Sequence, residues 1–381
     1  MPVALFSIAS SLHNDIVPPE EDALIVGIQR EMGEKFLFKE DFSDYYSCPE
    51  KLIYVRTGGS EEIFRSLNLS GDIRLLTSGK ENSLAAAMEI LSFVKSRGNV
   101  GEILHGTPAE IAARIKHPAK DAVSASQWIR PLPDIRLDNT RVGVIGKPSD
   151  WLISSGVDYA EAEKRFGVEM MDIPIEELVD EIRKYDCDLR SFEGSEAIYD
   201  ALKTIVGRYR LNALTLRCFD LLDLVGNTGC LALARLNSEG IVSSCEGDIP
   251  ALFTMMLARS LTGCPGFMCN LSRIDGDELL FAHCTVPLAM ASSYRYMTHF
   301  ESGIGTAIKA ELPLGKVTIM KVSPGLDKMV LIPAEIIRNQ SEPNLCRTQV
   351  IVRAPGAAAY FLKESLANHH VIVPGGPEIT A

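Results

Sequence analysis

Residues 241–244 form a short run that reads as a strand, and the chain passes from it through Cys245-Glu246-Gly247-Asp248 into Pro250 at the start of an apolar helical pattern. A strand, a turn with two carboxylates and a helix with few polar residues must therefore follow one another between 241 and 261. Such a helix has to be buried. That requirement fixes Glu246 at its amino-terminal entrance, where the helix dipole favours an ionised carboxylate.

Past Gly263 and Pro265 a second apolar run leads to Asn270. A turn is expected over residues 272–277, and residues 279–282 return as the hairpin partner, ending in His283-Cys284-Thr285. This hairpin brings Asn270 and His283 to one end. With His299 and Glu301 close behind, one region gathers the oxygen and imidazole donors that a hard or borderline divalent cation takes.

The chain before this stretch alternates strand and helix patterns, as right-handed βαβ units on parallel sheets do. Residues 1–138 form a first α/β domain and 139–262 a second, with a looser, proline-bearing segment (Pro118, Pro131, Pro133) before the boundary. In the first domain Asn82 is a plausible N-cap for a helix that ends before Gly98. Thr57-Gly58-Gly59-Ser60 follows a strand, where open α/β sheets place ligand loops, although a plain turn reads equally from two glycines. Arg217 ends an apolar strand, either as a charge at the sheet edge or as a substrate or carboxylate partner, and a helix is expected over 227–236. Residues 263–381 form a third, β-rich domain, an antiparallel meander or small barrel, with turns at PLGK and SPGLDK. Its end places Asn368-His369-His370 between a helix and a last strand.

Composition excludes several classes. A net charge of -12 with no Lys/Arg cluster excludes a nucleic-acid partner. Nine cysteines without a CxxC suggest small buried hydrophobes in a reducing compartment rather than disulfides. The amino terminus lacks the basic segment of a secretory signal, and no stretch approaches the ~18 apolar residues of a membrane span. A cytoplasmic protein with no membrane partner is expected.

Glu246-Gly247-Asp248 before a buried helix, Phe267-Met268 about one helix later, His283 after a hairpin, and Asn368-His369-His370 near the carboxyl end together resemble the L-fucose isomerase and L-arabinose isomerase superfamily. The resemblance covers the second half of the chain. It implies two Rossmann-like parallel α/β domains and a β-rich domain that completes a divalent-cation site, manganese first, in a homo-oligomer acting on a small sugar. It also implies aldose-ketose isomerisation through an enediol. Glu246 matches a metal-binding carboxylate, His283 a middle histidine and His370 the terminal ligand, with His369 as its alternative. The second carboxylate is replaced: Cys269 or Asn270 stands there, and Asn270 can ligate a metal through its amide oxygen but cannot act as a base. Acid-base work then falls to Glu246, Asp248, His283 or Glu301, with Arg217, His283, His299, Asn368 and His369 as sugar contacts. The alternative is a non-catalytic or altered-activity sugar-binding relative.

Overall fold

β-Branched and aromatic runs alternating with amphipathic helices produce the first sheet. A computed structural model describes residues 2–10, 17–117 and 125–375, so Pro118 of the expected looser segment lies outside the described residues. Strands β1 (Ala4–Ile8), β2 (Leu37–Phe38), β3 (Lys51–Val55), β4 (Asp72–Thr77) and β5 (Val100–Leu104) pair in parallel in the order β2-β1-β3-β4-β5. A short strand, β6 (Ile129–Pro131), precedes the second sheet. That sheet consists of β7 (Arg141–Ile145), β8 (Glu169–Ile173), β9 (Ala213–Leu216) and β10 (Val242–Ser244), again parallel, in the order β10-β9-β7-β8. Both sheets share one connectivity, in which the first strand lies between the second and the third and the fourth follows outward.

The remaining strands are antiparallel. They are β11 (Phe267–Asp275), β12 (Glu278–His283), β13 (Ser293–Met297), β14 (Ala307–Glu311), β15 (Gly315–Val322), β16 (Lys328–Gln340), β17 (Thr348–Arg353) and β18 (His370–Pro374). Six of them run β15-β18-β11-β12-β17-β16, and β15 pairs β16 as well, closing a barrel; β13 and β14 form a separate ribbon. β6 pairs with β16 at the barrel's margin. Closure removes the free edges that so many short antiparallel strands would otherwise expose.

The barrel is the floor on which both sheets rest. Along its strands, alternate residues enter different cores: Met268, Met320 and Val371 pack with the second sheet and helix Ile249–Thr262, while Phe267, Ile319 and Ile372 pack with the first sheet. This is the two-residue period of a strand buried on both faces. Two local expectations shift. The hairpin turn narrows to Gly276 and Asp277 because β11 continues through Asp275, with a bulge between Leu271 and Arg273. The helix expected from 227 spans Cys230–Glu239, since Asn227 uses its side chain to hold the backbone carbonyls of Leu189 and Ser191.

Candidate active site

The second sheet's last strand opens the site. After β10 the chain takes two left-handed residues, Glu246 (φ 63) and Gly247 (φ 67). A Cβ at position 247 would lie 2.8 Å from the Ser149 nitrogen and 2.9 Å from the Lys147 carbonyl, so this position demands glycine. Asp248 then caps the helix: its Oδ1 accepts from the Ala251 backbone N–H at 2.8 Å. Its Oδ2 lies 2.9 Å from His369 Nδ1, and Asp248 is fully buried. The carboxylate thus orients a histidine from the far end of the chain while it caps its own helix.

His369 presents its other nitrogen to Glu246, with Nε2 3.4 Å from Oε1; His283 Nε2 lies 3.6 Å from the same oxygen. Thr285 Oγ1 fixes the His283 ring through Nδ1 at 2.8 Å. Glu246, His283 and His369 offer ligand atoms that all lie within 4.8 Å of one another. Burial opposes ionisation of Glu246, yet the two histidines outweigh it and hold the carboxyl well below its usual range. Burial likewise opposes a charge on His369, but Glu246 and Asp248 raise its pKa to about 10.

The expected ligand His370 faces elsewhere. Its Nδ1 donates to the Asn368 carbonyl at 2.7 Å, its Nε2 meets the Tyr360 hydroxyl at 3.0 Å, and its ring packs against Phe361. The reason is register: His369 and His370 are adjacent in an extended segment and must point to opposite sides. Asn368 is anchored by its backbone N–H on Glu89 Oε2, 3.0 Å away. Arg217 is also occupied. It reaches Asp220 at 2.9 Å and Asp150 at 2.9 Å and lies over the Trp151 ring at 4.4 Å, and it does not line the recess.

Above Glu246 is a narrow recess, with ≈ 20 Å³ open to a water-sized sphere. Its polar wall comprises Asn82, Glu246, Asn270, His283, His299 and Glu301. Phe219, Cys218, Cys230, Cys245, Cys284 and Cys346 complete the lining. Asn270 Oδ1 is buried without a hydrogen-bond partner, as is His369 Nε2. An orphaned amide oxygen beside a carboxylate and two imidazoles forms a donor set suited to a divalent cation. His299 Nδ1 meets Ser302 Oγ at 3.0 Å, and burial lowers its pKa. Glu301 sits on an exposed turn but sends its carboxylate inward to Asn82 Nδ2 at 2.6 Å; burial, reinforced by Glu246, raises its pKa.

Several participants escaped the sequence reading. Asn82 stands at the start of helix Ser83–Ser96 but makes no side-chain cap bond. The cysteines are small and largely buried as expected, yet five of them line the recess. Lys321, fully buried, places Nζ 3.9 Å from Asp248 Oδ2. A lysine inside the apolar strand VTIMKV was a legible signal, because such a charge is buried only beside a partner. Among the described residues no helix is long and apolar enough to cross a membrane.

No family model matches the chain. Among curated proteins it is similar to sulfoquinovose isomerases from Priestia aryabhattai and Priestia megaterium, each 24% identical over 214 residues, covering 49% of this chain and 48% of the relative. A sulfoquinovose isomerase from Clostridium sp. is 27% identical over 179 residues, covering 44% of this chain and 39% of the relative. The chain thus spans about half the length of the curated relatives it matches, or less.

Proposed function

We propose that the protein is a metal-dependent aldose-ketose isomerase acting on a small sugar of the fucose or arabinose kind. The observation that carries this reading is the Glu246–His283–His369 group, two of whose members line a recess that also holds the orphaned acceptors of Asn82 and Asn270. The isomerase names of its distant relatives support the reaction class. Glu246, His283 and His369 would hold a divalent cation, manganese by preference, with the Asn270 amide oxygen available as a further donor. Bound there, the cation supplies Lewis-acid polarisation of a carbonyl and its neighbouring hydroxyl.

The rest is work for the chain's own groups. An enediol path needs a group that removes the C2 proton and returns it at C1. Asp248 is committed to Ala251 and His369, and Glu246 is held between two imidazoles. Glu301 is the remaining carboxyl on the recess wall, and its raised pKa suits a group that carries a proton. The residues lining the recess include two carboxylates and no lysine or arginine, which favours an uncharged sugar over a sulfonated one.

The test pairs metal analysis of the purified protein with proton NMR of solvent deuterium uptake into a panel of aldoses that includes L-fucose, L-arabinose and sulfoquinovose. Stoichiometric metal with exchange at C1 or C2 of a neutral sugar is expected. Metal-loaded protein that exchanges no proton in any sugar would instead favour a sugar-binding relative, the reading suggested by Asn270 in place of a carboxylate.

A further inference from the structure

Asn82 occupies the residue before helix Ser83–Ser96, where an asparagine ordinarily accepts a backbone N–H. It does not. Its φ is 56, and the preceding Glu81 is also left-handed at φ 50, so two successive non-glycine residues adopt a conformation that L side chains disfavour. Surrounding structure enforces it. Gly58 N–H donates to the Glu81 carbonyl at 2.7 Å, and a Cβ on Gly58 would come within 3.1 Å of Asn82 Cβ. Gly58 of the Thr57–Ser60 turn therefore serves to seat Asn82.

The strained backbone turns the side chain away from its own helix. Nδ2 donates to Glu301 Oε1, 219 residues along the chain, at 2.6 Å. Oδ1 is buried with no hydrogen-bond partner, the residue is only 7% exposed, and it lines the recess. A buried amide acceptor without a donor is costly in the free protein and is relieved when a donor arrives. In a recess this narrow, a neutral hydroxyl is a group small enough to supply one.

We propose that Asn82 contacts the substrate: its Oδ1 accepts a hydroxyl of the sugar while its Nδ2 holds the Glu301 carboxylate beside the reacting carbons. This rests on the reading of the recess as a sugar site. It assigns the first parallel sheet a direct part in recognition, and it selects ligands that carry a hydroxyl donor at that point.

Asn82→Gly separates binding from folding, because glycine adopts a positive φ without strain and only the side chain is lost. Calorimetric titration of the manganese-loaded protein with L-fucitol and L-arabinitol, which cannot isomerise, reads affinity without turnover. The expected result is a 10- to 100-fold weaker affinity in Asn82→Gly, with manganese content and thermal midpoint unchanged or the midpoint raised. Asn82→Asp keeps the acceptor but sets two carboxylates face to face, so kcat should fall more than KM rises. Equal alditol affinity in wild type and Asn82→Gly would overturn the contact, as would a wild type that binds neither alditol. An Asn82→Asp variant with wild-type kcat would overturn the hold on Glu301. If Asn82→Gly weakens alditol binding while no sugar exchanges deuterium, the contact stands and the isomerase reading falls.

Discussion

The two parallel sheets solve the same structural problem in different ways. In each, the loop after the fourth strand carries a pair of left-handed residues just before a largely buried helix: Glu81 and Asn82 before Ser83–Ser96, Glu246 and Gly247 before Ile249–Thr262. In the second sheet, Asp248 at the N-cap holds both the helix and His369. In the first, Asn82 leaves its helix uncapped and crosses to Glu301. A missing cap costs about 1 kcal/mol, little enough to be offset by a helix buried along most of its length. The second sheet thus contributes a charged candidate ligand, Glu246, to which the barrel adds His283 and His369, and the first sheet contributes a neutral hydrogen-bonding group to the same recess.

Removing the charged half of this division has the largest expected effect. Glu246→Gln keeps the side-chain shape but leaves His283 and His369 without their shared anion. Metal content should drop to background by elemental analysis, and turnover should fall by at least ~10²- to 10⁴-fold. Retained stoichiometric metal would move the charged centre away from the second sheet's turn.

The adjacent histidines sharpen the same contrast. His369→Gln should lose metal as Glu246→Gln does. His370→Gln should keep it and lose about 1–3 kcal/mol of stability in denaturant unfolding, because Tyr360 and the Asn368 carbonyl lose a buried partner. The reverse pattern would restore His370 as the ligand. This pair also marks where sequence reading stops. The strand-turn-helix at Glu246 was legible because turn residues and an apolar run leave few alternatives, and the hairpin that pairs Asn270 with Ala282 was legible from two apolar runs flanking a run of turn residues. Which of two neighbouring histidines faces inward depends on a one-residue register set by barrel pairing, such as Cys269 opposite His370. Asn82 was illegible for a related reason: a cap and a long-range donor look alike until the partner's position is known.

Asp248→Asn tests the double duty of the second turn. Asparagine still accepts from Ala251, so the cap should survive, while the loss of the anion beside fully buried Lys321 should cost about 3–5 kcal/mol. Its orienting bond to His369 weakens, and metal affinity should fall about 10- to 100-fold, read by competition with a chelator. A lower unfolding midpoint with unchanged metal affinity would show that Asp248 serves the helix cap and Lys321 and does not orient His369.

The smallest effect on the site itself should come from the joint that seats the first sheet on the barrel. His105, just past β5, donates through Nδ1 to the Thr77 carbonyl at 3.3 Å and accepts the Ile274 N–H of β11 through Nε2 at 3.2 Å. That arrangement requires the neutral ring. Burial lowers its pKa from 6.5 to about 4. The unfolded chain therefore takes up a proton between pH 6.5 and about 4 while the folded one does not. The contribution of His105 is complete above pH 6.5 and should be lost at about 1.4 kcal/mol per pH unit as the pH falls through that window. His105→Gln should flatten this slope in urea unfolding series. It should leave the metal group intact, because the joint meets β11 at Ile274, whereas the strands leading to His283 and His369 pair with β11 toward its other end, at Asn270 and Cys269. A variant that kept the wild-type slope would place the acid sensitivity on other buried groups. A variant that lost metal would show that the first sheet's seating, and not only Asn82, governs the second sheet's charged centre.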